Sequence, residues 1–170
     1  MASLDEIREN RLHKLELLKQ AGMEIYPASS TRDYSLSEVI AKFSDLEAKG
    51  EEVSLVGRIM SLRPQGALIF FNFFDGTVNF QGLLKKENMD ESLFDLFFNA
   101  IDIGDFVEVR GKLFVTKTSQ QTVEVKSWKI LSKTLAPLPE KWHGLQDTEE
   151  RYRKRYLDIL MNAELRELFN

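Results

Sequence analysis

Apolar residues recur at helical spacing along the first part of the chain. Ile7, Leu12, Leu15 and Leu18 are separated by charged residues and followed by Gly22, which predicts an amphipathic helix closed by a glycine cap. A Pro/Ser linker follows, and then Ser35 or Ser37 offers an N-cap ahead of Val39, Ile40, Phe43 and Leu46, predicting a second, shorter helix that ends at Gly50. From Val53 the pattern changes to runs of β-branched and aromatic residues with turn residues between them. "VSLVGRIMSLR" predicts a strand broken by Pro64 to Gly66. "ALIFFNFFD" predicts a second strand that turns at Asp75-Gly76, and "TVNFQGLL" a third. In "ENMDESLFDLFFNAIDIG" the period returns to about 3.6, with Leu93, Leu96, Phe97 and Ala100 on one face and Gly104 at the end. Two further strands, "DFVEVRGKLFVT" and "QTVEVKSWKIL", flank a hairpin tip at "KTSQ".

Three strands, a helix and two strands is the order of the OB-fold, a five-stranded Greek-key barrel whose outer face on strands two and three commonly holds oligonucleotides. A ferredoxin-like arrangement needs a helix directly after the first strand, and none fits between Arg63 and Ala67. An SH3-like barrel is the other competitor. The predicted organisation is a helical extension over 1–50, an OB barrel over 51–133, and a linker with a helix over 134–170. The fold class is mainly β with flanking helices.

Alternation then assigns faces. Ile69, Phe71 and Phe73 share an apolar face and are core candidates, as are Val78, Phe80 and Leu84 on the next strand. The opposite face carries Leu68, Phe70, Asn72 and Phe74, and beside them Thr77, Asn79 and Gln81. A ring among carboxamides suits single-stranded bases, which stack on aromatic faces while amides hydrogen-bond their Watson–Crick edges. On pattern alone, the favoured reading is instead that Phe70 and Phe74 are covered by the N-terminal helix.

Charge and composition narrow the chemistry. The net charge is −4 and the isoelectric point about 5.3, so no global field draws the chain to nucleic acid, and any such binding needs a local patch. Arg58, Arg63, Lys85, Lys86, Arg110, Lys112 and Lys117 fall in the barrel segment and could supply one, or could be ordinary solvated surface. There is no cysteine, which removes disulfides and thiolate chemistry. No apolar run of about 18 residues is present, and the acid-rich start lacks a signal core, so a cytoplasmic protein is expected. His13 and His143 stand alone, and no metal site, two-carboxylate pair, nucleophile triad or phosphate loop is recognisable. The residues predict a binding module with no catalytic residues of its own.

One stretch remains unexplained by a barrel: "PLPEKWHGLQDTEERYRKRYLDI", from Pro137 to Ile159. It closely resembles the segment that joins the anticodon-binding and catalytic domains of class II lysyl-tRNA synthetases. Other stretches agree in the same order: "RLHKLELLKQAGMEIYP", "GRIMSLR", the spacing of Phe70, Phe73 and Asp75, Phe80-Gln81, Gly104-Asp105, "GKLFVTKT", and the run from Ile130 to Lys141. The resemblance covers essentially the whole chain. It implies the N-terminal part of such an enzyme, stopping before the first class II signature, so that ATP and magnesium belong to a catalytic domain outside this chain. It also implies lysine tRNA as partner and a homodimer in the full-length enzyme.

Carried over position by position, the family's anticodon contacts fall on Arg63, Phe70, Gln81 and Gln120; the outer face and the barrel cations add Asn72, Asn79, Lys112 and Lys117 as candidate further RNA contacts. Phe70 would stack on a base, Gln81 would hydrogen-bond a uridine edge, and Arg63 would meet base or phosphate. The sequence departs from the family at the hairpin, where "TKTSQ" stands in place of the usual "TKTGE", and at Ala67, where lysine is common. A neutral amide lacks the charge-assisted acceptor of a carboxylate, which predicts weaker discrimination. In the bridge, Pro137 and Pro139 predict an extended connection, and "DTEERYRKRYLD" predicts a helix laced by i to i+4 pairs, either plainly solvated or, as the resemblance implies, docked between domains with Trp142, Tyr152 and Tyr156. Two other functions fit the same barrel: a sequence-tolerant single-strand binder, and a protein-interaction module.

Overall fold

The structure, a computed structural model, describes residues 3–139 and 147–168. The chain divides into two compact units between Ala136 and Pro137.

In the first unit, helix α1 (Leu4–Gln20) starts at a capping box in which the Ser3 hydroxyl accepts from the Glu6 amide and the Glu6 carboxylate from the Ser3 amide. Its inner face is Arg11, Leu15 and Leu18, whereas Leu12, expected there, is exposed. The predicted second helix is two: α2 (Leu36–Ala41), capped by Ser35, and α3 (Phe43–Lys49), separated at Lys42 and closed by Gly50 at a φ of +64°. The break lets Leu36, Val39, Phe43 and Leu46 all turn into the core.

Five strands follow: β1 (Glu52–Gln65), β2 (Leu68–Phe74), β3 (Asn79–Lys85), β4 (Phe106–Val115) and β5 (Gln121–Ser132). They close into a barrel in the order β1-β2-β3-β5-β4, with β3 and β5 parallel and the other pairs antiparallel. The long β1 serves both edges: its first half pairs with β4 and its second with β2, across an irregularity between Ile59 and Ser61. Contrary to expectation β1 runs through Pro64, which sits opposite Ile69. The β1–β4 ladder spans only Glu52 to Arg58, so the missing N–H of Pro64 interrupts no second ladder.

Helix α4 (Glu91–Ala100), capped by the Asp90 carboxylate, follows the third strand and contributes Phe94, Phe97 and Ala100 to the core. Phe94 is the member the sequence pattern missed; Leu93 and Leu96 are only half-buried. The Phe97 ring lies 5.5 Å from Phe71 and 5.0 Å edge-on from Trp128, whose indole N–H donates to the Leu93 carbonyl at 3.1 Å. Fully burying one such ring contributes about 2–3 kcal/mol, and here four aromatic side chains interlock, since Phe73 meets Phe71 at 5.4 Å.

Helix α1 lies against α4 and is tied to the chain as it leaves the barrel. The Arg11 guanidinium donates to the carbonyls of Thr134, Ala136 and Ile103 at 2.9, 3.1 and 3.3 Å. Beside it the buried Lys133 ammonium meets Asp102, Asp105 and the Ala100 carbonyl at 2.6, 2.7 and 2.8 Å, and Lys14 reaches the other oxygen of Asp102.

The second unit contains α5 (Thr148–Arg153), α6 (Arg155–Met161) and α7 (Ala163–Leu168). The predicted lacing is present as Glu149–Arg153 and Glu150–Lys154 pairs, each 2.7 Å, though three short helices replace one. Trp142 and His143 lie outside the described residues. Among the described residues no helix is long and apolar enough to cross a membrane.

Candidate nucleic-acid interface

The barrel register builds the site. Ile69, Phe71, Phe73, Phe80 and Leu84 point into the core and are almost wholly buried, which turns Leu68, Phe70, Asn72 and Gln81 to the outer face. Cross-strand neighbours then form two rows. Arg63 on β1 faces Phe70 on β2, which faces Leu83 on β3. One step along, Asn72 faces Gln81, Gln81 faces Thr122 on β5, and Thr122 faces Phe114 on β4.

These rows floor an open groove of about 510 Å³ lined by Arg63, Phe70, Gln81, Leu83 and Phe114. Gln65 and Leu68 close one end, and Thr116, Lys117 and Thr118 of the β4–β5 hairpin form the other wall. Phe70 is half-buried and belongs to this groove, while α1 packs on α4, which corrects the expectation that the N-terminal helix covers the ring. Phe74 is buried.

The polar groups of the groove are pre-set. The Gln81 amide nitrogen donates to the Thr122 hydroxyl at 3.1 Å, and that hydroxyl donates to the Gln120 carbonyl at 3.1 Å. Thr122 thus fixes the carboxamide plane and anchors the hairpin. The Thr116 hydroxyl accepts from the Gln120 amide at 3.0 Å, and Ser119 sits at the tip with a φ of +60°.

The cations divide into two groups. Lys85 is bound to Glu124 at 2.6 Å, Lys86 to Glu91 at 2.8 Å and Arg110 to Glu52 at 3.1 Å, while Arg58 stacks 4.5 Å from the Phe106 ring. Arg63, Lys112 and Lys117 make no ion pair among the described residues. Of these three, Arg63 and Lys117 line the groove. Burial acts to raise the Glu124 carboxyl, but hydrogen bonds from Lys85, Lys126 and Asn88 outweigh it and hold the group at about 2. Glu124 is therefore already neutralised beside the groove.

Among the predicted contacts, Arg63, Phe70, Gln81 and Lys117 are brought together. Asn72 is Gln81's neighbour on the same outer face but does not line the groove, and Asn79 and Lys112 lie outside the lining as well. Gln120 is on the hairpin, but its side chain turns to the Gln121 carbonyl at 3.5 Å. The sequence reading missed Phe114, Thr116 and Thr118. Phe114 was within reach, because alternation along β4 puts it on the outer face with Arg110 and Lys112. A second cavity, about 430 Å³, sets Asp33, Glu51 and Glu52 against Lys49 and Arg110 and so offers a polyanion no net positive face.

A closed five-stranded barrel with an aromatic, amide-bearing outer groove and two uncommitted cations defines a nucleic-acid-binding OB-fold. Residues 53–131 match the tRNA anti-codon family, described as an OB-fold nucleic acid binding domain. The chain is 40% identical over 162 residues, 95% of its length, to Lysine--tRNA ligase 2 of Methanosarcina mazei. It is 39% identical over 170 residues to the Lysine--tRNA ligase of Thermotoga maritima and 40% identical over 167 to that of Roseiflexus castenholzii, 98% of the chain in each case. It covers 32%, 34% and 34% of those proteins, about a third of the length of the curated relatives it matches. Residues 53–131 thus match an OB-fold anticodon-binding family, and the chain is similar along nearly its whole length to the N-terminal third of lysine--tRNA ligases.

Proposed function

We propose that the groove grips the anticodon loop of lysine tRNA. In the corresponding full-length enzyme this grip orients the tRNA for attachment of lysine, a reaction that uses ATP and magnesium in a separate catalytic domain of a cytoplasmic homodimer. The observation that carries the reading is the convergence of Phe70, Gln81, Arg63 and Lys117 on one groove. Phe70 supplies a stacking face for a base, and base–aromatic stacking contributes about 1–3 kcal/mol. Arg63 and Lys117 meet phosphate oxygens. With its nitrogen engaged by Thr122, Gln81 offers its carboxamide oxygen as an acceptor. That oxygen can take the N3–H of uracil, whereas neutral cytosine has no hydrogen on N3 to give. Gln120 stands ready at the hairpin to turn toward a neighbouring base.

The test is binding of an RNA hairpin with consecutive loop uridines, against the same hairpin with those uridines changed to cytidine, at fixed salt. The expected result is a preference for the uridine loop that Phe70→Ala removes. Equal binding of both loops, falling steeply with salt, would replace this reading with a sequence-tolerant single-strand binder. Absence of binding would favour the protein-interaction module.

A further inference from the structure

Phe70 accounts for only one side of the groove. Phe114 closes the other, at the last turn of β4 before the hairpin, and it is half-buried with its ring forming part of the lining. Going round the sheet from β2 to β4 crosses β3 and β5, which is three strand spacings, or roughly 14 Å along the surface at the usual separation. A single base stacked on Phe70 does not span that distance. Between the two rings lie Gln81 and Leu83, and above them Lys117 and the hydroxyls of Thr116 and Thr118.

Phe114 is also held in position. The Lys85 ammonium stands 5.5 Å from its ring centroid and is itself fixed by Glu124 at 2.6 Å. Phe114 lines the groove and Lys85 does not. A half-buried ring with an unpaired cation beside it, across the groove from Phe70, matches a further base position on the same strand of RNA.

We propose that Phe114 is a second stacking platform, which holds a further base of the same loop as the one stacked on Phe70, so that the groove grips a run of single-stranded RNA in a fixed direction and not a lone base. The proposal rests on the reading that the groove binds a single-stranded RNA loop, and it adds a residue and a length to that site. Lys117 lies by Phe114 on the hairpin side and takes a phosphate of the strand between the two bases.

Photo-crosslinking of the full chain tests this. The uridine-loop hairpin is prepared with 5-iodouridine at each loop uridine in turn, irradiated in complex, and the crosslinked side chain is identified by mass spectrometry. One position is expected to attach to Phe70 and another to Phe114. Phe114→Leu, which keeps apolar bulk and removes the ring, is expected to abolish the second crosslink, preserve the first, and weaken binding roughly ten-fold. Its circular dichroism and unfolding midpoint serve as the check that the barrel is intact. Crosslinks to Phe70 alone, with Phe114→Leu binding as wild type, would overturn the second platform and leave the RNA-binding reading standing. Loss of the Phe70 crosslink together with all Phe70-dependent binding would overturn both.

Discussion

A methyl group at Gly82 has nowhere to go. Gly82 faces Phe71 across the β2–β3 ladder, and a Cβ at Gly82 would lie 2.0 Å from the ring's Cζ and 2.4 and 2.6 Å from its Cε atoms. Carbon atoms pack at about 3.5–4.0 Å, so the ring must retreat by roughly 1.5 Å. Phe71 is wholly buried, with Phe73 and Phe97 at 5.4 and 5.5 Å, and it cannot swing into solvent. Overpacking of this kind costs about 1–3 kcal/mol, and the depth of the overlap puts Gly82→Ala at the top of that range. The reduced backbone freedom of alanine offsets about 0.5–1 kcal/mol, leaving a net loss of about 2 kcal/mol. A domain held by about 5–15 kcal/mol survives that. Urea titrations followed by circular dichroism should therefore show a lower midpoint with an unchanged slope. Phe71→Leu alone should cost about 1–2 kcal/mol through the cavity it leaves. Because each change relieves the other, the double variant should be more stable than the sum predicts by at least about 1 kcal/mol. The RNA affinity should follow, since Phe70 adjoins Phe71 and Gln81 adjoins Gly82. Additivity within about 0.3 kcal/mol, or a Gly82→Ala protein as stable as wild type, would refute the account of this close approach.

Two other outcomes follow from local chemistry. Glu124 has its carboxyl held at about 2 against an ordinary 4.5, so its folded form favours the charge. The stability it contributes is complete above pH 4.5 and is lost as pH falls from there toward 2. Glu124→Gln should lower stability at neutral pH by under about 1 kcal/mol, because the group is partly screened by solvent, and the difference from wild type should vanish near the acid end of a pH series of urea midpoints. At the hairpin tip, Ser119 adopts a φ of +60°, a conformation that costs a residue with a Cβ about 1–2 kcal/mol. Ser119→Gly should gain about 0.5–1 kcal/mol in thermal unfolding after the extra chain freedom of glycine is subtracted; an unchanged or lower midpoint would count against strain at this position.

The strands were readable because one buried face imposes a period of two, and Ile69, Phe71 and Phe73 all lie inward as that period requires. Helix faces were read less well. Arg11 displaces Leu12 from the inner face of α1 because three backbone carbonyls need its donors, a demand that no local pattern announces. Pro64 looked like a break because its effect depends on how many ladders a strand carries at that point, and there β1 carries one. The site divides in the same way. Arg63, Phe70 and Gln81 follow from register between sequential strands, whereas Phe114 and Thr118 join them through the parallel β3–β5 pairing, which links segments about forty residues apart (Gln81 with Thr122). Family resemblance supplied roles for the first group; alternation could place Phe114 on the outer face, but the closed barrel is what brings the second group beside the first.

The grip of Arg11 on Thr134 and Ala136 sets an order of events at the ribosome. The helix that carries Arg11 is synthesised before its anchors, which lie 123 and 125 residues further along the chain, and the Lys14 partner Asp102 lies 88 residues on. At roughly 5–20 residues per second, α1 waits on the order of 6–25 seconds for the carbonyls that hold it. Its contacts with α4, Asp102 and Ile103 become available before the last two strands, but the Thr134 and Ala136 carbonyls come only after them, so the earliest helix to be made is among the latest to be fully secured.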